Sequence, residues 1–229
     1  MILSHRYKFI FIKTNKTAGT SLEIALSKYC GERDVITPIS PEDERIRRDL
    51  GYRGPQNYRI PFSQYTLRDW GRRLLLGKKL QFYNHMGARE IKRFVSEGVW
   101  DEYYKFCFER NPWDRVVSRY YWVLRNEPNL SISDFIKQGG ADMNKKRGFE
   151  LYTVGGKIVV DKVALYENLD QELEEIAIRL GLPEKPVLPQ AKSGYRKDRR
   201  HYRDLLSDED KAVISRLFAE EIAYFGYEY

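Results

Sequence analysis

The sequence predicts a single-domain α/β protein in which a mostly parallel central sheet is flanked by helices. Three observations lead there. Short β-rich segments alternate with segments whose apolar residues recur at helical spacing, the pattern of strand–helix–strand units that cover both faces of a sheet. The length, 229 residues, suits one domain. Hydrophobic residues at 42% and aromatic residues at 14% supply enough apolar surface for a core and exclude a disordered chain.

Tyr7–Lys13 (YKFIFIK) reads as the first strand, with the whole amino-terminal stretch as one core strand. A polar loop containing Gly19 leads to a helix marked by Leu22, Ala25, Leu26 and Tyr29. Leu80–Asn84 is a second short strand, followed by His85 and a helical face of Ile91, Phe94 and Val95. Tyr103–Glu109 is the third strand. Asn111-Pro112 then starts a helix with Val116, Val117, Tyr120 and Leu124 inward, where Pro112 suits a first turn that has no amide partner to lose.

Ser131–Gly139 reads as a short capped helix, and Lys157–Tyr166 as a fourth β segment with hairpin character. A helix from about Leu169 to Leu180 stops at Gly181 and Pro183. One last helix follows Ser207, whose neighbours Asp208, Glu209 and Asp210 favour a helix start. The interval 38–79, rich in Arg and Tyr, is an irregular basic insertion within a domain spanning residues 1–229.

The longest apolar runs, such as Phe9–Ile12 and Leu74–Leu76, fall far short of the roughly 18–20 residues that cross a bilayer. The amino end has neither a sustained apolar stretch nor a small-residue cleavage site. Cys30 and Cys107 have no ligand spacing around them, so no disulfide framework or zinc site is indicated and a reducing, cytoplasmic location is expected. The formal charge of +7 is concentrated: residues 41–79 and 192–203 each carry +5, leaving −3 for the remainder. Localised positive charge of this kind points to an anionic ligand.

Two segments carry chemistry. Lys13–Ser21 (KTNKTAGTS) lies between a strand and a helix, where unpaired backbone N–H groups and the positive end of the helix dipole converge on one point. Lys16 adds a charge there, Gly19 permits close approach, and the Thr20 and Ser21 hydroxyls can donate. The order is not that of the nucleotide-triphosphatase motif, in which Lys and Ser/Thr follow the last Gly. Taken alone, the same loop also reads as an ordinary capped turn between strand and helix. The second segment, Glu109–Tyr121 (ERNPWDRVVSRYY), puts Arg110 at the carboxyl end of a strand, where ligands of open α/β sheets gather, and Ser118 on the next helix. A guanidinium and a hydroxyl make a sensible anion clamp.

Together, KTAGTS and RNPWDRVVSRYY resemble the two phosphate-binding signatures of sulfotransferases that use 3′-phosphoadenosine 5′-phosphosulfate (PAPS), particularly the carbohydrate branch that includes heparan and chondroitin sulfotransferases. The likeness continues through Leu165–Leu169 (LYENL) and the closing YRDLLSDE and FGYEY stretches, and omits about 38–79. It implies a P-loop-like nucleotide-binding architecture. By this resemblance the first loop, Lys16, Thr17, Ala18, Gly19, Thr20 and Ser21, holds the 5′-phosphosulfate, with Lys16 at the leaving phosphate. Arg110 and Ser118 would bind the 3′-phosphate. Lys192, Tyr195 and Arg196 resemble the late loop that closes over the nucleotide. No metal is required by this chemistry.

An acceptor hydroxyl needs a base, a role that usually falls to His or a carboxylate. His85 ends a strand and opens HMGARE, whereas His5 precedes the first strand and His201 lies in the late basic segment. Related carbohydrate sulfotransferases place a histidine base after this strand, which singles out His85, with Glu90 or a carboxylate of the insertion as the alternative. The basic insertion, with its interleaved Tyr52, Tyr58, Tyr65 and Trp70, can engage an acidic glycan or simply face water. The leading expectation is sulfuryl transfer from PAPS to a hydroxyl of a carbohydrate or glycolipid. A P-loop-type nucleotide kinase and a non-catalytic anion or nucleic-acid binder are the alternatives, nucleic acid being supported only by the charge windows.

Overall fold

The computed structural model describes residues 1–77, 79–189, 198 and 200–229, with the Arg72 side chain left aside. The chain opens on β1 (Ile2–Ser4) and β2 (Phe9–Phe11), an antiparallel pair. Then come α1 (Gly19–Ser27), β3 (Val35–Ile36), α2 (Pro41–Asp49), α3 (Leu67–Leu76), α4 (Ala88–Phe94) and α5 (Glu97–Glu102). The middle of the chain supplies β4 (Tyr104–Glu109), α6 (Pro112–Val123), α7 (Ile132–Lys137), α8 (Asp142–Lys146) and α9 (Phe149–Tyr152). A small hairpin of β5 (Thr153–Val154) and β6 (Lys157–Ile158) precedes β7 (Lys162–Leu165). Helices α10 (Leu169–Leu180), α11 (Asp208–Leu217) and α12 (Ala219–Phe225) complete the fold.

The five-stranded sheet has the order β3-β1-β2-β4-β7. β2, β4 and β7 pair in parallel, and β1 is antiparallel to both of its neighbours, so it alone runs against the rest. The mostly parallel α/β sheet expected from the sequence is therefore present. Alternation along the strands divides the core. Phe9, Phe11, Phe106, Phe108 and Ala164 face Leu22 and Leu26 of α1 and Leu173 and Ile176 of α10. Ile10, Ile12 and Cys107 face Ala88, Ile91, Trp100, Phe149 and Tyr152 on the other side. Helices cover both faces, as parallel strands require. Among the described residues no helix is long and apolar enough to cross a membrane.

Several elements differ from the sequence reading. The amino-terminal stretch is a hairpin rather than one strand: Asp34 accepts bonds from the Ser4 hydroxyl at 2.8 Å and the His5 amide at 2.7 Å, fixing a polar turn that reverses the chain. Leu80–Asn84 does not join the sheet. Its backbone bonds instead to 58–60 of the insertion, through Ile60 N–H to Leu80 O at 3.0 Å and Phe82 N–H to Tyr58 O at 2.7 Å. That pairing leaves Phe82 buried in the core on the α4 side of the sheet. The interval 38–79 holds α2 and α3 rather than irregular chain. The helix after Ser207 breaks at Phe218, whose backbone leaves the helical region to start α12. Its start is as read: Ser207 and Asp210 form a reciprocal capping box.

Beneath the first loop lies a buried charge cluster. Glu23 on α1 is fully buried, 3.0 Å from Lys13 Nζ and 3.8 Å from Arg47 of α2, and accepts from Thr37 Oγ1 at 2.9 Å. Burial alone would raise the Glu23 carboxyl, but Lys13, the terminal amine of Met1 and Arg47 outweigh it and hold the pKa at about 2. Because that lies below the ordinary 4.5, Glu23 contributes stability that is complete above pH 4.5 and is lost as pH falls toward 2. Glu23→Ala leaves Lys13, Arg47 and the Met1 amine without their shared carboxylate and should cost ~3–5 kcal/mol in urea denaturation. An unchanged midpoint would show that Lys13 and Arg47 find other partners.

Candidate active site

The loop after β2 is built from strained backbone. Lys16 and Ala18 adopt left-handed conformations, with φ of 65° and 57°. Non-glycine residues there cost ~1–2 kcal/mol each, a strain that persists when the surroundings enforce it. The enforcement is visible. The Thr14 hydroxyl donates to the Phe108 carbonyl of β4, and the Asn15 amide to the Arg147 carbonyl at 2.7 Å. α1 then begins at Ala18 without a side-chain cap and with no acidic residue in its first turn, so its amides and dipole offer an anion site. Gly19 has to be glycine here: a Cβ would stand 2.7 Å from Lys13 Cγ.

β4 delivers the second segment beside the first because it is parallel to β2. Asn111 caps α6 through its side chain, accepting from the Trp113 and Asp114 amides at 3.1 and 3.2 Å, and Pro112 opens the helix. Arg110 reaches back to the first loop, donating to the Lys16 carbonyl at 3.0 Å. Its Nε donates to Asp114 at 2.9 Å, and its guanidinium lies 4.2 Å from the centre of the Tyr166 ring. The cation is thus oriented before any ligand arrives. Ser118 stands one turn beyond Asp114 on the same face of α6.

His85 is the third component. Its backbone is also left-handed, with φ 60°, and its Nδ1 is 2.8 Å from the Lys13 carbonyl. A carbonyl only accepts, so Nδ1 carries the proton and Nε2 the lone pair. Burial, then the positive charge of Lys13, push the imidazole pKa down to about 3, against the raising effect of the bond to the Lys13 carbonyl. The ring is neutral across the physiological range.

These parts meet in one cavity of about 960 Å³, lined by Lys16, Ala18, Gly19, Thr20, Ser21, His85, Arg110 and Ser118. Thr17 is not on its wall; its hydroxyl turns inward to Thr14 at 2.8 Å. Lys192, Tyr195 and Arg196 lie outside the described residues. Glu90, the alternative base, bonds to the Tyr83 hydroxyl and is not on the cavity wall. Among the described residues, no group of three or more His, Cys, Asp or Glu side chains is arranged to hold a metal.

The cavity also contains residues that the sequence reading did not single out. Arg119, Trp122, Arg147, Tyr166, Glu167, Arg200 and Tyr202 line it. Trp122 stands one turn beyond Ser118 on α6, so helical spacing could have found it, whereas Arg119 is merely adjacent to Ser118 in sequence. Arg147 gives no such signal, because a tertiary bond from Asn15 brings it in. Burial, then the charge of Arg147, lowers the pKa of Arg119, the mark of cations gathered out of water. Besides Lys13, which Glu23 meets from below, five cationic residues on the wall face two carboxylates, Asp114 and Glu167, so the site fits a multiply charged anion.

The His85 environment has a direct readout. Its ring-proton resonance should stay at the neutral position down to about pH 4, with no transition near 6.5. Because the folded pKa is depressed, protonation below pH 6.5 favours the unfolded chain, and this part of the stability is lost as pH falls toward 3. A midpoint near 6.5 would show that the ring is solvated.

An uncharacterized protein of Archaeoglobus fulgidus is 36% identical over 105 residues, which cover 44% of this chain and 86% of that protein. No solved structure shows a significant match. The model of the sulfotransferase family matches residues 1–228. With nearly the whole chain inside that match and both signature segments on one cavity, this chain belongs to the sulfotransferase family.

Proposed function

We propose that this chain transfers a sulfuryl group from PAPS to a hydroxyl of a carbohydrate or glycolipid acceptor, with His85 as general base. The observation that carries this reading is the single cavity shared by the Lys16–Ser21 loop, the Arg110–Ser118 clamp and His85. PAPS supplies the sulfuryl group on a 5′-phosphate that departs with negative charge. The amides at the start of α1, the Thr20 and Ser21 hydroxyls and Lys16 would hold that end and stabilise the departing charge, the kind of preorganised electrostatics that enzymes rely on most. Arg110 and Ser118 would hold the 3′-phosphate, with Arg119 and Arg147 adding to the positive field.

His85 Nε2 accepts the acceptor hydroxyl's proton as the oxygen attacks sulfur. The Lys13 carbonyl keeps the ring in the tautomer this step needs. A pKa of about 3 makes a poor base, and the anionic donor is what corrects it: several negative charges beside the ring favour the imidazolium. The base is therefore activated only when the donor is present.

The saccharide rests on the family resemblance more than on the insertion. Phe62, Tyr65 and Trp70 of the insertion pack on one another edge-on or tilted, with ring centres 5.3–5.6 Å apart, rather than standing ready for a sugar. Trp122, 37% exposed on the cavity wall, is the better placed aromatic face.

Calorimetry should show adenosine 3′,5′-bisphosphate binding without magnesium and more tightly than ATP–Mg. Arg110→Ala should weaken that binding by ~10²-fold or more, and tighter binding of ATP–Mg would instead favour a kinase. His85→Gln should lower turnover by ~10²–10⁴-fold while leaving bisphosphate affinity nearly unchanged. Unchanged turnover would remove His85 from the chemistry.

A further inference from the structure

Helix α3 is built the wrong way round for a soluble surface. At 100° per residue, Trp70, Leu74, Leu67, Gly71 and Leu75 fall within an arc of about 140°, an apolar face of the width that ordinarily packs on a core. Here that face is turned outward. Leu67 is 92% exposed, Leu74 83% and Leu75 85%, and Leu76 beyond them is 64% exposed. Single exposed leucines need no explanation, but Leu67, Leu74 and Leu75 on one face of a short helix form a patch.

The orientation is fixed by specific contacts, on the opposite side through Asp69 and at one edge of the apolar face through Trp70. Asp69 is buried, completes a capping box with Thr66 and pairs with Arg93 of α4. The Tyr65 hydroxyl accepts from the Leu80 amide at 2.6 Å, and Trp70 stacks against Tyr65 and Phe62. α3 is thus anchored by its polar side and its first-turn aromatics while the leucines face solvent.

The charge around the patch selects its partner. Between Arg59 and Lys79 the sequence has six basic residues and one acidic residue, and that one, Asp69, is buried in its pair with Arg93. Among the described residues of this stretch, the exposed charged side chains are Arg59, Arg68 and Lys79, all cations. An outward apolar stripe bordered by cations matches a bilayer interface, where leucines enter the acyl boundary and arginines meet anionic headgroups. We infer that α3 docks this protein onto the surface of a membrane containing anionic lipid, without spanning it. The inference rests on α3 and its borders and does not depend on the sulfuryl-transfer reading.

Flotation of the full chain with vesicles tests it. Vesicles containing phosphatidylglycerol should carry the protein, pure phosphatidylcholine vesicles should carry far less, and salt should weaken the binding. The variant Leu67→Ser/Leu74→Ser/Leu75→Ser should lose ~tenfold or more of the binding, and Arg68→Glu should weaken binding to phosphatidylglycerol vesicles alone. The substituted leucines are solvent-exposed, so thermal unfolding should match the parent and separate lost docking from lost folding. No binding to phosphatidylglycerol vesicles at low salt, or full binding by the triple variant, would overturn the inference. A parent dimer in sedimentation velocity that the triple variant dissociates would overturn it in favour of contact between two copies.

Discussion

The site depends on the parallel pairing of β2 with β4. Their register, Phe9 opposite Tyr104 and Phe11 opposite Phe106, makes both strands release their chains at the same edge of the sheet. Neighbouring strands lie about 4.8 Å apart, so the two loops that follow start almost in contact. Two cross-links then set their spacing: the Thr14 hydroxyl on the Phe108 carbonyl, and the Arg110 guanidinium on the Lys16 carbonyl. Two loops separated by about ninety residues of sequence come to line one cavity through backbone geometry.

Charge is sorted on either side of that edge. Lys13 and Arg115 are buried cations whose charge is met inside the protein, Lys13 by Glu23 and Arg115 by Glu109 and Glu221. Glu109 also accepts from the Tyr152 hydroxyl at 2.7 Å and from the Arg110 amide at 2.9 Å, so the end of β4 is locked from below. Lys16, Arg110, Arg119 and Arg147 line the cavity, Arg110 beside Asp114. The first group holds the scaffold, and the second creates the field that an anion would satisfy. His85 sits between them, bonded to the Lys13 backbone and exposed to the positive charge of the Lys13 side chain.

The parts legible in the sequence are those governed by local rules. Asn111-Pro112, Gly181 and Ser207 mark helix boundaries because capping and backbone preference act within a few residues. The strand–loop–helix identity of 7–29 and 103–124 followed from periodicity, and the two signatures lay on those loops. What escaped was decided by tertiary pairing. Leu80–Asn84 has a strand's composition but bonds to 58–60, and the amino-terminal stretch folds back because Asp34, some thirty residues away, binds its turn. Arg147 joins the site through one backbone bond to Asn15, which no spacing rule contains. Thr17 belonged to the motif, yet its hydroxyl serves Thr14. Leu74–Leu76 stands out in the sequence only as a short apolar run, and only the fold shows that these leucines lie on a helix and are exposed.

The most direct test of a shared donor site is a crystal structure of the chain with adenosine 3′,5′-bisphosphate. The 5′-phosphate is expected against the Lys16–Ser21 loop and the 3′-phosphate against Arg110 and Ser118, with both ends of one nucleotide held by the two segments. A bisphosphate bound with either phosphate away from these groups would contradict it.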